Sequence, residues 1–203
     1  MGVYYMQVLK EEVRKAIHQA ALAEFYEKGF KEASMRSIAE RGGMTVGNLY
    51  RYFESKEDLF YDVISPAYHK IIQLTEEECM DLNHPEEGHR FIEHIANELI
   101  AINRVHRAEL LILMEGSEGT RFEGGVEEIK VLLENKFKHN IFPRLMKDDL
   151  ANEENDFFVH VLATNIIEGM KYIMKNCEDE IKMCRLIQRF IYYHFHDILK
   201  RII

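Results

Sequence analysis

The chain has 203 residues, of which 47% are hydrophobic and 30% are charged, and its formal net charge is −9. This length allows one large domain or two small ones, and the acidic balance argues against a coat of basic nucleic-acid-binding surface while allowing a local basic patch. No secretory signal opens the sequence, and no apolar stretch approaches membrane-spanning length. We therefore expect a cytoplasmic protein with reduced cysteines.

Helical periodicity dominates the chain, because prolines are few and two-residue apolar alternation is scarce. The pattern predicts an all-α fold of about nine helices. They cover residues 9–28, 34–41, 45–52, 55–82, 86–103, 105–115, 126–146, 152–175 and 179–202. Gly29 predicts the end of the first helix, and Pro66 predicts a kink or interruption in the fourth. The glycine-rich residues 116–125 predict a mobile connection or a pocket gate.

A helix-turn-helix is predicted at residues 34–53. Ser34 is expected to cap its first helix, Gly42 and Gly43 to form its turn, and Thr45 to open its second helix. In such a unit one short helix lies in the major groove of DNA and the other braces it.

The next helix has its own start signal, because Ser55 followed by Asp58 is a capping-box pattern. Charge supports a DNA surface at this end of the chain. Residues 34–56 carry four basic and two acidic side chains, whereas residues 63–203 carry 17 basic and 25 acidic ones. The acidic excess therefore lies mostly away from the predicted DNA-binding segment.

The outer face of the second short helix is predicted to carry Thr45, Val46, Gly47, Asn48 and Arg51. Gly47 costs about 1 kcal/mol relative to alanine inside a helix, which makes sense where the backbone must approach DNA closely. Tyr50 and Tyr52 can bring hydroxyls to phosphates, and Lys56 near a helix N-terminus suggests a neighbouring anion. Each residue alone has a commoner explanation in packing or solvation, and it is the combination that favours DNA binding.

This combination resembles the TetR family of transcriptional regulators. The resemblance rests on Gly29-Phe30, Ala33-Ser34, Ile38-Ala39, the run from Thr45 to Phe53 and the run from Ser55 to Phe60. It covers about residues 11–71, and Gly43-Met44 is a small departure in the turn. By resemblance, the candidate DNA contacts are Ser34, Arg36, Thr45, Val46, Gly47, Asn48, Tyr50, Arg51, Tyr52 and Lys56. Tyr50 and Lys56 are the expected phosphate clamps.

We expect a DNA-binding domain at residues 1–62 and an effector-binding and dimerisation domain at residues 63–203. The last two predicted helices have apolar stripes wider than one core contact requires, which predicts a dimer through a four-helix bundle. The resemblance implies the same, and a monomer with both helices central is the alternative. The candidate interface comprises Phe158, Leu162, Ile166, Gly169, Met170, Ile173, Ile187, Ile191, His194, Phe195, Ile198 and Ile202. Gly169 is a candidate for the close crossing of two backbones.

The resemblance also implies that the second domain binds a small apolar or amphipathic effector among its helices. Its methionines and phenylalanines suit an adaptable apolar pocket, although plain core packing explains any one of them equally well. The candidate pocket residues are Phe91, Ile95, Leu99, Leu111, Met114, Glu115, Arg121, Phe122, Phe137, Phe158, His160, Leu162 and Ile166.

The expected function is sequence-specific DNA binding by a repressor that a small-molecule effector releases from a near-palindromic operator. An activator, and a helix-turn-helix protein controlled by a protein partner, are the alternatives. An enzyme is not expected, because no nucleophile is matched with a convergent base. No cofactor or metal is expected either, because the histidines and cysteines lack metal-site spacing.

Overall fold

The structure, a computed structural model, describes residues 2–77, 85–141 and 153–201. Within these ranges the chain forms eight α-helices and no strand, which confirms the predicted all-α fold. The elements are α1 (Gly2–Glu32), α2 (Met35–Arg41), α3 (Val46–Leu49), α4 (Lys56–Glu76), α5 (Pro85–Glu115), α6 (Gly125–Lys136), a π-helical turn (Phe137–Ile141), α7 (Glu153–Asn176) and α8 (Glu180–Arg201).

Of two predicted interruptions, one is a kink within a long helix and the other does not end its helix. Residues 86–103 and 105–115, predicted as separate helices, belong to α5, whose backbone leaves helical geometry only at His106 (φ −125°, ψ 23°). This kink lies close to the predicted break, although no proline or glycine lies between the two segments. Pro66 lies inside α4 without ending it.

Other predicted boundaries differ at the helix ends. Helix α1 begins at Gly2, and its helical geometry breaks at Gly29, where φ is +68° as expected for the predicted helix end. The helix predicted at residues 126–146 is α6 followed by the π-helical turn. Its last residues, and the end of the helix predicted at 55–82, lie outside the described residues.

The chain divides into two compact units. The first, called the head below, comprises residues 1–68 and 108–125, and the second, called the body, comprises residues 69–107 and 126–203. The head therefore includes the end of α5 and the turn after it, in addition to the N-terminal helices. The predicted domain division at residue 62 stays a prediction.

Aromatic rings fill the core of the head. The Phe60 ring of α4 packs edge-on against Phe25 at 4.9 Å and against Phe30 at 5.1 Å between ring centres. Such pairs contribute roughly 0.5–1.5 kcal/mol beyond the area they bury. The apolar stripe of α1 lies beneath them, with Ile17 and Ala21 fully buried. This core fixes α1 against α4.

The body is built on close contacts between its helices. Gly169 of α7 lies under the Phe190 ring of α8, where a Cβ on the glycine would stand 2.2 Å from the ring's Cζ. The Arg107 guanidinium donates to the Met174 carbonyl at the end of α7. Buried Lys136 donates to the carbonyls of Leu74 and Glu77 at 3.2 and 2.7 Å, which closes the end of α4.

Candidate nucleic-acid interface

Helix α2 is the bracing helix of the candidate DNA surface. Ser34 lies in an extended conformation before it, and its Oγ accepts a hydrogen bond from the Ser37 amide at 3.1 Å. This is the predicted N-cap, which satisfies one of the amides left unpaired at a helix start. Ile38 and Ala39 are buried, while Arg36 is exposed. The helix thus packs on the core and carries Arg36 outward.

The turn between α2 and α3 is tightly closed. Gly43 has a φ of +66°, which side-chain-bearing residues rarely adopt. The Met44 amide donates to the Ala39 carbonyl at 2.9 Å. Met44 Cε lies 3.0 Å from the position that a Cβ on Gly42 would occupy, so the methionine fills the turn. The Gly43-Met44 departure from the family pattern is therefore compatible with a packed turn.

Helix α3 is short and anchored from below. Thr45 caps it, with its Oγ1 accepting a hydrogen bond from the Asn48 amide at 3.2 Å. Leu49 and Phe53 are 0% and 6% exposed and hold the helix on the core. Among the predicted contact residues of this segment, Thr45, Gly47, Tyr50 and Arg51 are exposed, and Val46, Asn48 and Tyr52 are half-buried. The polar side chains among them are therefore accessible to a molecule outside the chain, as contacts with base edges and phosphates require.

Internal packing does not explain why residue 47 is a glycine. A Cβ at Gly47 would meet no atom within 4 Å, and its φ is not positive. A glycine in a helix still costs about 1 kcal/mol relative to alanine. An unobstructed backbone at this position would allow another molecule to approach α3 closely, as the predicted DNA contact requires.

A buried carboxylate that was not predicted from the sequence links α2 to α1. Glu24 is 0% exposed, and it accepts hydrogen bonds from Lys28 at 2.7 Å and from the Ser37 hydroxyl at 2.8 Å. Arg41 lies 3.4 Å from the same carboxylate and also binds Glu27. The sequence held a signal, because Glu24 falls four residues after Ala20 within the apolar stripe of α1.

The surroundings of Glu24 stabilise its charged form. Burial by itself raises the pKa of Glu24, but the hydrogen bonds from Lys28 and Ser37 outweigh burial and lower that pKa below its ordinary value. The hydrogen bonds that Arg41 donates to the Glu27 carboxylate similarly raise the pKa of Arg41. The α1–α2 junction is therefore held by ionised groups at neutral pH.

Lys56 is bound within the protein. Its Nζ donates to the carbonyl oxygens of Phe30, Ala33 and Lys31 at 2.6, 2.9 and 3.3 Å. The same nitrogen lies 4.3 Å from the centre of the Phe30 ring. All three ammonium donors are thus directed at backbone carbonyls, whereas the sequence interpretation directed them at a DNA phosphate. The anion that its place at the start of α4 suggested is, within this chain, the negative end of α1.

The predicted effector-pocket residues are divided between the two units. Leu111, Met114, Glu115, Arg121 and Phe122 belong to the head, and Phe91, Ile95, Leu99, Phe137, Phe158, His160, Leu162 and Ile166 belong to the body. In the head, Phe122 is buried and stacks on Tyr61 at 5.8 Å, and Arg121 lies over the same tyrosine ring at 4.4 Å. In the body, exposed His160 contacts Glu134 at 2.8 Å. A pocket role for these residues stays a prediction.

The predicted dimer residues are mostly turned inward. Leu162, Ile166, Met170, Ile187 and Ile191 are buried in the single chain, Gly169, Ile173, His194 and Phe195 are half-buried, and Phe158 is exposed. The side chains of Ile198 and Ile202 lie outside the described residues. The same two helices also carry exposed apolar and aromatic residues that were not predicted, namely Phe157, Val161, Tyr172, Ile181, Tyr192 and Tyr193. Both helices therefore have a buried apolar face and an exposed one.

Among residues 2–77, 85–141 and 153–201, no helix is long and apolar enough to cross a membrane. The same part of the chain contains no group of three histidine, cysteine or acidic side chains arranged to hold a metal ion.

Sequence comparison places the helix-turn-helix region within a known family. Residues 17–63 match the family described as "Bacterial regulatory proteins, tetR family". The chain is 28% identical over 154 residues to the transcriptional repressor KstR of Rhodococcus jostii, an alignment covering 76% of this chain and 69% of KstR. It is 37% identical over 65 residues to the uncharacterised regulator YdgC of Bacillus subtilis, which covers 32% of this chain and 33% of YdgC.

Solved structures extend the likeness along most of the chain. A transcriptional regulator from Aquifex aeolicus superposes with a TM-score of 0.60 at 19% identity, covering 90% of this chain and 99% of that one. NalD of Pseudomonas aeruginosa, the secondary repressor of the MexAB-OprM multidrug efflux pump, superposes with a TM-score of 0.57 at 21% identity, covering 91% and 96%. At these identities the likeness concerns the fold alone.

Proposed function

We propose, from the premise that this chain belongs to the TetR family of DNA-binding transcriptional regulators, that it is a homodimeric repressor released from its operator by a small-molecule effector. The observation that carries the DNA-binding part is the exposed face of α3. There Gly47 has no packing reason to be a glycine, while Tyr50 and Arg51 extend to solvent. KstR is named a transcriptional repressor, which supports repression and not activation as the mode of control.

DNA contacts divide by chemistry. Thr45, Val46, Gly47 and Asn48, at the start of α3, are proposed to meet base edges, because threonine and asparagine can donate and accept hydrogen bonds there. Arg36, Tyr50, Arg51 and Tyr52, together with the Ser34 cap, are proposed to anchor the phosphate backbone. Lys56 is not included among these phosphate anchors, because its ammonium is held by backbone carbonyls of the head.

Dimerisation is supported by the exposed faces of α7 and α8. Phe157 and Tyr172 on α7 are 72% and 70% exposed, and Tyr193 on α8 is 77% exposed. Large aromatic side chains concentrated on one pair of helices are typical of an interface. A second copy of the chain would cover both helices by two-fold symmetry. Two symmetric recognition helices would then read a near-palindromic operator with half-sites about 34–36 Å apart.

An effector site is proposed in the body, whose buried residues include Phe91, Phe137, Leu162 and Ile166. An apolar interior of this kind favours an apolar or amphipathic ligand. Repression ends only if the effector binds the DNA-free state more tightly than the DNA-bound state. Control by a protein partner, and activation in place of repression, remain the alternatives. Because it acts on DNA, we propose that the protein works in the cytoplasm.

Selection of genomic DNA fragments by the purified full-length protein tests this function. We expect recovery of a discrete fragment, a nuclease footprint with two symmetric half-sites, and loss of the footprint in Arg51→Ala. The matched control is Arg90→Ala, an exposed arginine on α5, which should leave the footprint unchanged. Recovery of random fragments by the wild-type protein would contradict sequence-specific regulation. Small-molecule release is tested next by thermal-shift screening of the protein against metabolites.

A further inference from the structure

Residues 29–34, called the corner below, connect α1 to α2. Gly29 breaks helical geometry with a φ of +68°, and the Ala33 amide donates to its carbonyl at 3.2 Å. Ser34 then caps α2. The corner therefore sets where α2 begins, and the short turn after α2 sets where α3 begins. Any shift of the corner moves both helices of the helix-turn-helix.

Gly116 holds the corner from one side. The Phe30 amide donates to the Gly116 carbonyl at 2.8 Å. The two backbones are so close that a Cβ on Gly116 would stand 3.1 Å from Gly29 Cα. A Cβ on Gly29 would stand 3.3 Å from Gly116 Cα. A side chain on either residue would force the facing backbone to shift by a few tenths of an ångström, and the two residues are far apart in sequence.

The turn that follows Gly116 is held to the rest of the head by several contacts. The Ser117 hydroxyl is buried and lies 2.9 Å from the Leu113 carbonyl and 3.2 Å from the Phe122 carbonyl. Phe122 packs among the aromatic rings of the head, 6.3 Å from Phe60. Glu118 forms an ion pair with Lys31 of the corner. These contacts dock the turn on the corner, while the predicted role of residues 116–125 as a mobile connection or a pocket gate stays a prediction.

Lys56 holds the corner from α4. Its three hydrogen bonds end on the carbonyls of Phe30, Lys31 and Ala33, and each of these residues lies within the corner. Phe30 is thus bound through its amide by Gly116 and through its carbonyl by Lys56. Carbonyls at the end of a helix carry negative partial charge, so an ammonium is a fitting partner for them.

We propose that Gly116 and Lys56 are positioning residues for DNA binding, which fix the corner and thereby hold α2 and α3 in the geometry that the major groove requires. The proposal rests on the proposed DNA-binding function. It assigns Lys56 an action through the corner and not on a phosphate. Operator binding should therefore depend on both residues, whereas non-specific attraction to DNA should not.

The test compares full-length wild type, Gly116→Ala, Lys56→Met and Arg51→Ala on the fragment recovered by selection and on a scrambled fragment, across a range of salt concentrations. Gly116→Ala and Lys56→Met should weaken operator binding at least about fivefold. Their affinity for scrambled DNA, and its slope against salt, should match wild type. A phosphate contact by Lys56 would instead lower that slope by about 0.9. Such a fall, or unchanged operator binding in either variant, overturns the proposal.

A second measurement covers the case in which Gly116→Ala folds poorly. Lys31→Glu and Glu118→Lys each reverse one charge of the ion pair between the corner and the turn. Each single change should weaken operator binding, and the double change should restore it. Failure of the double variant to bind better than Lys31→Glu would count against the docking role.

Amide hydrogen exchange tests the positioning without DNA. Gly116→Ala should speed exchange across residues 34–53 relative to Gly124→Ala, a matched control whose added Cβ meets no atom within 4 Å. Equal exchange in the two variants refutes the proposal. If wild type recovers no DNA but exchange differs, the proposed function fails while the mechanical role of Gly116 stands.

Discussion

The Nζ of Lys56 lies 2.6 Å from the carbonyl oxygen of Phe30 and 4.3 Å from the centre of the ring of the same residue. One lysine at the start of α4 thus binds both the backbone and the side chain at the end of α1. The charged ammonium of Lys56 thus caps the C-terminal end of α1 inside the head.

Replacing Lys56 should therefore lower stability. Lys56→Met leaves the carbonyls of Phe30 and Ala33 without their ammonium partner, and we expect the free energy of unfolding to fall by about 2 kcal/mol. Chemical denaturation at neutral pH measures the change. Lys70→Met, at an exposed position on the same helix, is the control and should change stability little. Equal stability of the two variants would show that the three hydrogen bonds are not made.

Glu24 should make the stability of the head depend on acid pH. Its pKa is lower in the folded chain than in the unfolded chain, so the stabilisation is present above the unfolded pKa, about 4.3. It is lost as the pH falls through the folded pKa. Glu24→Gln should cost about 1–3 kcal/mol at pH 7 and should flatten the decline of stability in acid.

Denaturation of wild type and Glu24→Gln at several pH values between neutral and acid checks this dependence. Glu57→Gln, on an exposed glutamate of α4, is the matched control. If the free energy of unfolding falls equally steeply with acid pH in wild type and Glu24→Gln, the folded chain does not stabilise the charged form of Glu24.

Gly47 should separate stability from DNA binding. Gly47→Ala adds a methyl group that meets no atom of the chain, so the free protein should gain about 0.5–1 kcal/mol from improved helix propensity. Operator affinity should nevertheless fall, by about tenfold or more if the methyl group separates α3 from the DNA surface. Thermal melting and a binding titration together give both values. Unchanged affinity would remove the explanation offered for this glycine.

Gly169 should respond in the opposite way. Gly169→Ala places a Cβ 2.2 Å from the tip of the half-buried Phe190 ring, so the ring must shift and the change should cost about 1 kcal/mol. Phe190→Leu, which shortens the opposing side chain, should recover part of that loss in the double variant. A double-mutant cycle from denaturation curves measures the coupling. Additive effects would indicate that α7 and α8 do not cross at this point.

The exposed aromatic faces predict a dimer that a single charge can break. Phe157→Glu or Tyr193→Glu should shift the protein toward monomers, because a buried carboxylate without a partner opposes association. Sedimentation equilibrium measures the shift. Tyr26→Glu, at an exposed tyrosine of the head, should leave the association constant unchanged. A wild-type protein that is monomeric at micromolar concentration would contradict the interface.

Local chemistry made the helix starts predictable. Ser34, Thr45 and Ser55 each accept a hydrogen bond from the amide three residues later, as the capping patterns indicated. The break predicted near Asn103 corresponds to the kink at His106, where α5 leaves helical geometry although no glycine or proline marks the position. Periodicity recovered the buried faces because it depends on residues close in the chain.

Contacts between distant residues were beyond the sequence pattern. Nothing in the spacing of Gly29 and Gly116 indicates that their backbones meet, since the contact depends on how α1 and the end of α5 pack. The carbonyl partners of Lys56 were not indicated either, because they come from another helix, and its predicted phosphate contact stays a prediction. The apolar width of α7 and α8 predicted two buried faces, but only the fold distinguishes the face used within the chain from the exposed one.

The affinity ratio between the selected fragment and a scrambled fragment tests most directly whether α3 reads a specific DNA sequence. At a fixed salt concentration near physiological, wild type should bind the selected fragment about 10³-fold or more tightly, as specific DNA-binding proteins do. Asn48→Ala should reduce this ratio while leaving scrambled-fragment affinity unchanged. A wild-type ratio near one, or an Asn48→Ala ratio equal to wild type, would contradict base reading by α3.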